Sequence, residues 1–338
     1  MLDIKVSVVL PIRFDNPFME DSLQSTFNAM DKSMELIIVE DTIDKEAKDK
    51  VREFCENKGQ LARILKITNE GDGLVDALHT GIRRAKGEYI GRMDADDICM
   101  EGRLRKQRDY LDAHPEIGLV SCLVKYGGDA TRNPGFSRFV DWLNGLGSHE
   151  SMFAKRYADV PVAHPSVMFR KTLTETANYR KHNEWGETVP EDFDLWLRWL
   201  NGGVKFAKIP EYLLTWNDLP ERLSRKSMVY SKMAFWNSVA GNFANDRDKE
   251  YWICGYGKSV ERRIRGLVKR GLTLSGYISP SPKIRRDGIP VITLEEAHRL
   301  KGKALILNCV ANYEGKNFIQ RYFTRHGFRE VEDYLWLV

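Results

Sequence analysis

The 338-residue chain contains no apolar run near the roughly 18 residues that a membrane span requires. Its first residues, MLDIKVSVVLP, have neither a basic leader nor an apolar run long enough for a signal peptide. The sequence therefore predicts a cytoplasmic protein.

Cysteine and proline are also scarce. The 5 cysteines are odd in number, widely spaced and without a C-x-x-C pair, which indicates reduced thiols rather than a disulfide framework, a zinc site or a redox site. With 12 prolines, 42% hydrophobic and 30% charged residues, the composition excludes a collagen-like or disordered chain. We expect a globular protein with a substantial core.

The chain lacks a strong overall charge, since its net charge is +4, but the charge is unevenly spread. Residues 251–338 hold 16 Lys and Arg against 8 Asp and Glu. No recognised nucleic-acid motif accompanies this basic segment, so we expect no nucleic-acid partner. A solvated surface, an anionic substrate and an anionic membrane surface are the alternatives that the charge leaves open.

The length points to two domains, because single cores stop growing near about 250 to 300 residues. A charged stretch around 245–249 precedes an apolar strand candidate at Tyr251–Cys254. The predicted domains are therefore 1–245 and 250–338.

Short β-rich runs alternate with helical patterns over the first 100 residues, which is typical of a parallel sheet with crossover helices. The predicted strands are Val6–Leu10, Glu35–Val39, Ala62–Thr68 and Tyr89–Met93. The predicted helices are Pro17–Asp31, Lys45–Lys58 and Gly73–Ala85. Ligands of such sheets bind at the carboxyl ends of the strands, so the residues that follow each strand are the site candidates.

Beyond residue 100 the pattern is looser, and residues 127–160 give no clear prediction. The predicted elements are a helix over Gly102–Ala113, a strand over Gly118–Lys125, a strand over Pro165–Phe169 and a helix over Glu191–Asn201.

The sequence MDADD at 93–97 directly follows a buried strand candidate. Three carboxylates at a strand end repel one another, so they need a cation or a donor to neutralise them. Alternation along an extended chain aims Asp94 and Asp96 in the same direction, where both could reach one hard cation. Acidic triplets also occur in surface loops without a ligand, but the position at the end of this strand favours a metal site.

The segment from Val6 to about Ser227, roughly two thirds of the chain, resembles the family 2 glycosyltransferases of GT-A fold. The features that carry the resemblance are VSVVLPIR at 6–13, ELIIVEDT at 35–42, NEGDGLVDALHTGIRRAKGEYIGRMDADD at 69–97, HPSVMFRK at 164–171 and EDFDLWLRW at 191–199. The resemblance implies an α/β fold in which a nucleotide-sugar-binding GT-A domain, with a Rossmann-like mixed sheet, precedes the smaller C-terminal domain. It also implies transfer of a sugar with inversion at the anomeric carbon.

The resemblance further implies a nucleotide site. Asp41 corresponds to the aspartate that accepts a hydrogen bond from the uracil imide, and Glu40 stands where Asp is commoner. Pro11 and Arg13 belong to the first nucleotide loop, and Asn69 belongs to the loop before the helix beneath the nucleotide.

For the acidic motif, the resemblance implies that Asp94 contacts the ribose or the metal and that Asp96 contacts the metal and the diphosphate. Asp97 is either a further member of this set or the cap of the following helix. The expected cation is Mn²⁺ or Mg²⁺.

The later motifs resemble the acceptor side of these enzymes. The resemblance assigns the catalytic base to Asp192, with Glu191 supporting it, although the helix dipole favours carboxylates at a helix start in any case. His164 and Trp196 are the acceptor-side candidates, and a lone histidine before proline is also a common structural residue.

The stretch LLTWNDLPERLSRKS at 213–227 resembles the segment that closes the donor site in a bacterial subgroup. Asp218 falls where many relatives carry histidine, which suggests an extra metal or loop ligand. Arg222 and Arg225 are expected to clamp the diphosphate as its charge grows, with solvated arginines as the alternative.

The C-terminal segments 251–279 and 288–297 read as strand, glycine turn, helix and strand, followed by a further strand and a helix start, as in a small Rossmann-like unit. Val260 and Ser279 occupy the positions where a dinucleotide fingerprint needs glycine and an acidic residue. We therefore expect a structural or interaction role and no binding of NAD or S-adenosylmethionine.

Taken with the resemblance, these features predict transfer of a sugar from a UDP-sugar to a hydroxyl of a growing cell-surface glycan, such as lipopolysaccharide, capsule or a lipid-linked oligosaccharide. The basic C-terminal domain is then expected near anionic lipid at the inner face of the membrane. One alternative is a sugar nucleotidyltransferase, but PIRFDN after the first strand lacks its glycine- and basic-rich signature. The other is a non-catalytic sugar-binding or scaffold protein, which the presence of both carboxylate sets disfavours.

Overall fold

The computed structural model describes residues 3–58, 63–220, 222–244, 246, 249–280 and 288–337. The chain forms two compact units. The first unit comprises Met1–Met152, Pro161–Lys181 and Arg198–Met228. The second comprises Phe153–Val160, His182–Leu197 and Val229–Val338. Residues 245, 247 and 248 of the predicted domain boundary lie outside the described residues, and that boundary stays a prediction.

Eight strands form the sheet of the first unit, in the order β3-β2-β1-β4-β7-β6-β8-β5. They are β1 Val6–Ile12, β2 Met34–Glu40, β3 Ile64–Thr68, β4 Tyr89–Arg92, β5 Ile98–Cys99, β6 Ile117–Tyr126, β7 Met168–Arg170 and β8 Lys205–Trp216. Strands β1 to β4 are parallel, whereas β7 runs antiparallel to β4 and to β6. The sheet is therefore mixed, as predicted.

Twelve α-helices lie in the described part of the chain. They are α1 Met19–Asn28, α2 Lys45–Asn57, α3 Leu74–Arg84, α4 Arg103–Ala113, α5 Pro134–Gly145, α6 His149–Lys155, α7 Leu173–Thr176, α8 Glu191–Asn201, α9 Leu223–Lys226, α10 Lys232–Asn242, α11 Lys258–Val268 and α12 Tyr313–Arg325. Among these described helices, none is both long and apolar enough to cross a membrane.

Strands β1 and β2 are buried on both faces, which explains their largely apolar sequences. Every residue of β1 except Pro11 is buried, and every residue of β2 except Glu40. Helix α3 packs so closely on β1 that a Cβ at Gly81 would lie 2.5 Å from a methyl group of Val9. A glycine at this position therefore allows the helix to cover the strand that leads into the site.

The predicted elements of the first 126 residues are present, with ends that differ by at most three residues. Ala62, the predicted start of the third strand, lies outside the described residues. The predicted strand over Pro165–Phe169 is wrong in its first half, where His164–Ser166 form a 3₁₀ turn before β7. Proline has no N–H for a strand ladder, which explains the turn. Residues 127–160, without a clear prediction, contain α5 and α6.

The second unit contains a five-stranded parallel sheet in the order β11-β10-β9-β12-β13. Its strands are β9 Glu250–Cys254, β10 Leu274–Ile278, β11 Val291–Ile292, β12 Ala304–Asn308 and β13 Tyr334–Trp336. The core on this sheet includes Trp252, Ile306 and Phe323. This is the predicted Rossmann-like arrangement, although the helix start after β11 is a 3₁₀ helix at Glu295–Leu300.

Candidate functional site

Asp41 lies directly after β2, and its side chain is only 7% exposed. Its Oδ1 accepts hydrogen bonds from the Asn69 side chain at 2.7 Å and from the Gly73 N–H at 3.1 Å. Its Oδ2 accepts from Arg13 at 2.7 Å. The structure thus brings together three of the residues expected at the nucleotide, and it fixes the Asp41 carboxylate before any ligand arrives.

Glu40 is the last residue of β2, and its Oε2 lies 3.9 Å from Nζ of Lys66. Its Oε1 is buried and has no hydrogen-bond partner among the described residues. The backbone carbonyl of Glu40 accepts from the Asn69 N–H at 2.9 Å, which joins the two predicted nucleotide loops. Pro11 lies in β1, opposite Val39 of β2.

Asp94, Asp96 and Asp97 follow β4, and one carboxylate oxygen of each lies within 4.8 Å of the others. We call residues 94–97 the acidic loop. Burial, then the charge of Asp94, raises the pKa of Asp96 to about 6. Burial, then the charges of Asp96 and Asp94, raises the pKa of Asp97 well above its usual value. The folded chain therefore does not fully neutralise this cluster.

Two arginines face the acidic loop. Arg92 is 1% exposed and donates to Asp94 Oδ1 at 2.5 Å and to the Met93 carbonyl. The charge of Arg222 lowers the pKa values of Asp96 and Asp97 against the effect of burial. In the described part of the chain, these two cations oppose three carboxylates.

The donor set of the acidic loop fits a hard divalent cation. Asp97 Oδ2 is buried without a hydrogen-bond partner among the described residues, and all candidate ligand atoms are carboxylate oxygens. Such oxygens suit Mg²⁺ and Mn²⁺. A cation here would supply the positive charge that the cluster lacks.

Backbone carbonyls of the acidic loop are held by side chains that the sequence did not single out. Ser22 donates to the Asp94 carbonyl at 2.7 Å, Asn16 to the Ala95 carbonyl at 3.2 Å and Asn217 to the Asp96 carbonyl at 2.8 Å. These contacts span 72 to 121 residues. No local pattern could have revealed these positioning residues.

Arg222 lies over the Trp216 ring, with 4.8 Å between its guanidinium carbon and the ring centroid. It also donates to the Asn217 carbonyl at 3.1 Å. These two contacts hold the guanidinium of Arg222 in place beside the acidic loop.

Asp218 has several donors around its carboxylate. Tyr126 and Asn133 donate to it at 2.7 and 2.9 Å, and Arg225 forms an ion pair with it at 2.6 Å. Burial opposes ionisation, but these hydrogen bonds and the charges of nearby arginines lower the pKa of Asp218 overall. Coordination of a metal would compete with these donors. The role of Asp218 as a metal ligand stays a prediction.

His164 is buried, and its Nε2 lies 2.9 Å from the Tyr179 hydroxyl. Burial and then the charge of Arg92 hold its pKa well below the usual value, so the imidazole is neutral near pH 7. Its acceptor-side role stays a prediction.

Glu191 and Asp192 begin α8 in the second unit. Glu191 is 3% exposed and accepts from the Tyr230 hydroxyl at 2.8 and 2.9 Å. Asp192 is half-buried, and its Oδ1 accepts from the Phe193 N–H at 2.6 Å. Trp196 is fully buried. The roles expected for these three residues stay predictions.

The sequence of the chain matches a known protein family. The family model described as Glycosyl transferase family 2 matches residues 7–176, half of the chain. An uncharacterized glycosyltransferase of Methanocaldococcus jannaschii is 29% identical over 234 residues, which are 67% of this chain and 76% of that protein. The O-antigen biosynthesis glycosyltransferase WbnJ of Escherichia coli is 25% identical over 240 residues, which are 70% of this chain and 86% of WbnJ.

Solved structures share the fold at lower identity. The mannosyltransferase PcManGT of Pyrobaculum calidifontis, in complex with GDP-Man and Mn²⁺, aligns with a TM-score of 0.53 and 19% identity over 71% of this chain and 63% of that one. S. aureus TarS 1-349, in complex with UDP-GlcNAc, aligns with a TM-score of 0.52 and 14% identity over 79% of this chain and 71% of that one.

Proposed function

Because the chain belongs to glycosyl transferase family 2 and is thus a glycosyltransferase, as the motifs predicted, we propose that it transfers a sugar from a UDP-sugar to a hydroxyl of a growing glycan, with inversion. The single observation that carries the proposal is the incompletely neutralised acidic loop beside Arg222. A diphosphate bridged by a divalent cation fits such a cluster.

The divalent cation, Mn²⁺ or Mg²⁺, would be held by Asp94 and Asp96 and would stabilise the negative charge of the departing diphosphate. Arg222 is placed to add to this stabilisation, because its charge already acts on Asp96. Arg225 is the second residue predicted to clamp the diphosphate. To contact a phosphate, it would have to give up its ion pair with Asp218.

The uridine preference is proposed for Asp41. Arg13, Asn69 and Gly73 donate to its carboxylate, which orients it as an acceptor. Oδ2 has a single donor among these contacts, and a carboxylate oxygen can accept a second hydrogen bond, here from the uracil imide. PcManGT binds GDP-Man and TarS binds UDP-GlcNAc, so the shared fold does not choose the base.

The catalytic base is proposed to be Asp192. Its carboxylate takes the proton of the acceptor hydroxyl while that oxygen bonds to the anomeric carbon and the bond from this carbon to the diphosphate oxygen breaks. Glu191 is buried on the Tyr230 hydroxyl, which suits a supporting residue, whereas Asp192 is half-buried and more accessible. His164 and Trp196 are proposed on the acceptor side.

The acceptor class is proposed from a relative and from charge. WbnJ is named for O-antigen biosynthesis, and residues 251–338 of this chain are strongly basic. We therefore place the enzyme in the cytoplasm at the inner face of the membrane, acting on a cell-surface glycan or its lipid-linked precursor.

The test is release of UDP or GDP from a panel of nucleotide sugars, with saccharide acceptors, in Mn²⁺ and in chelator. We expect turnover with a UDP-sugar in Mn²⁺ only. Arg222→Gln should lower turnover by about tenfold or more, and Arg105→Gln, which changes an exposed arginine of α4, is the matched control. Equal turnover in Mn²⁺ and chelator would exclude the metal role, and no nucleotide release from any donor would favour the non-catalytic alternative.

A further inference from the structure

The sheet of the second unit has a topological switch point between β9 and β12. The chain proceeds from β9 to β10 and β11 on one side, and from β12 to β13 on the other. Ligands of doubly wound sheets bind outside the carboxyl ends of the strands at such a point. Here the switch point lies between the loops that follow Cys254 and Asn308.

Two glycines shape the first of these loops. Gly255 has a φ of 127°, and a Cβ on it would lie 3.4 Å from the Cys309 carbonyl carbon, so the loops after β9 and β12 are in contact. Gly257 has a φ of 110°, and a Cβ on it would have no atom of the described chain within 4 Å. We call the space bordered by 255–258 and 308–312 the switch-point crevice.

Asn308 places an unused hydrogen-bond donor at this crevice. It is fully buried at the end of β12. Its Oδ1 accepts from the Val310 N–H at 3.0 Å, which turns the side-chain amide toward the loop after the strand. Its Nδ2 has no partner among the described residues. Leaving such a donor unpaired costs about 1 to 3 kcal/mol, so a buried orphan of this kind points to an acceptor that binds there.

The crevice also has positive character. Helix α11 begins at Lys258, and its cap residue Gly257 has no side chain that could cap the first turn. The helix dipole favours an anion at this end, although Glu261 in the first turn offsets part of that charge. Burial raises the pKa of the Cys309 thiol to about 12, and the charge of the half-buried Arg263 opposes this shift. Burial lowers the pKa of Lys316 in α12, and the charge of Arg263 lowers it further. Asp159 offsets part of this charge at Lys316.

We propose that the switch-point crevice binds the phosphate or diphosphate group of a small phosphorylated ligand, with Asn308, the start of α11 and Arg263 as its donors. Ser279 stands at the end of β10, where an acidic residue would bind a ribose, so the crevice has no predicted means to select NAD. The site lies within the second unit, and it does not depend on the transferase function.

The test is calorimetry on the full chain in chelator, with inorganic pyrophosphate, UDP and ADP as probes. We expect saturable pyrophosphate binding that weakens by tenfold or more in Asn308→Asp, which adds a negative charge at nearly constant volume, and in Arg263→Gln. Arg265→Gln, an exposed change on the same helix, and Arg222→Gln, beside the acidic loop, should bind pyrophosphate normally. ADP that binds at least tenfold more tightly than pyrophosphate, and more weakly in Arg263→Gln, identifies the ligand as a nucleotide, and equal affinities identify a simpler phosphate. UDP binding that Asp41→Asn weakens belongs to the proposed donor site.

Because Asn308→Asp could fail to fold, Arg263→Gln by itself is sufficient for the test. Absence of saturable binding of both pyrophosphate and ADP would overturn the proposal. So would unchanged affinity in Arg263→Gln, or loss of binding in Arg222→Gln, which would assign the anion to the acidic loop instead.

Discussion

Asn217 donates its backbone N–H to the carboxylate of Asp97 at 2.9 Å across 120 residues of sequence. Its side chain donates to the carbonyl of Asp96 at 2.8 Å. Together these bonds hold the acidic loop against the residue that follows β8. The loop is thereby fixed with its carboxylates close together, a geometry that is unfavourable without a cation and ready for one.

The first prediction concerns the cost of that geometry. Without a divalent cation, Asp96→Asn should raise the melting temperature by about 2 °C or more, because one of three repelling carboxylates is removed. Mn²⁺ should raise the melting temperature of the unmodified protein and barely change that of the variant. Differential scanning fluorimetry in Mn²⁺ and in EDTA measures both. Asp141→Asn, an exposed change in α5, should leave both values unaltered; equal Mn²⁺ stabilisation of Asp96→Asn would contradict the metal site.

The second prediction concerns the base. Asp192→Asn should lower kcat by about 100-fold or more with little change in donor affinity, because the shape is kept and the proton acceptor is lost. Glu191→Gln should have a smaller effect, since an amide can still accept from the Tyr230 hydroxyl. Steady-state kinetics and donor calorimetry separate the two effects. If Glu191→Gln is the inactive variant, the two roles are exchanged.

The third prediction concerns the uridine site. Asp41→Asn should weaken UDP binding by about tenfold or more, because the imide loses a charged acceptor and Arg13 loses its partner at 2.7 Å. Asp72 also contacts Arg13, at 3.3 Å, but is 90% exposed, so Asp72→Asn is the matched control and should bind UDP almost normally. Calorimetry with UDP, CDP and GDP measures the selectivity. Tighter binding of CDP or GDP than UDP by the unmodified protein would show that the uridine assignment is wrong.

The fourth prediction concerns pH. The pKa of His164 is well below its usual value in the folded chain, whereas an unfolded histidine has a pKa of about 6.5. As the pH falls below about 6.5 the unfolded chain takes up a proton that the folded chain does not, so stability falls by up to about 1.4 kcal/mol per pH unit until the folded-state pKa is reached. His164→Gln should remove this part of the acid sensitivity. Urea unfolding at pH 7 and pH 5 tests it; identical losses in both proteins would count against a neutral, buried imidazole.

The fifth prediction concerns cofactors. The second unit should bind neither NAD nor S-adenosylmethionine, because Val260 and Ser279 replace the glycine and acidic residue of the fingerprint. Equilibrium dialysis with each compound measures this. Saturable binding at micromolar concentration would overturn it.

Much of this protein could be predicted from sequence because the informative signals are local. Alternating apolar strands and helical segments predicted the parallel start of the first sheet, and strand ends located Asp41 and the acidic loop, since side-chain periodicity depends on a few neighbouring residues. The family resemblance added the expected role of each carboxylate.

Tertiary structure decided what these side chains contact. That Asn217 supports the acidic loop, that Arg92 is buried against Asp94, and that the Asp218 carboxylate has three donors depends on strands and loops far apart in sequence. Residues 153–160 and 182–197 likewise join the second unit, although they precede its sheet by many residues. Only packing selects such pairings, because the burial that rewards them is a property of the whole folded chain and leaves no periodic trace in the sequence.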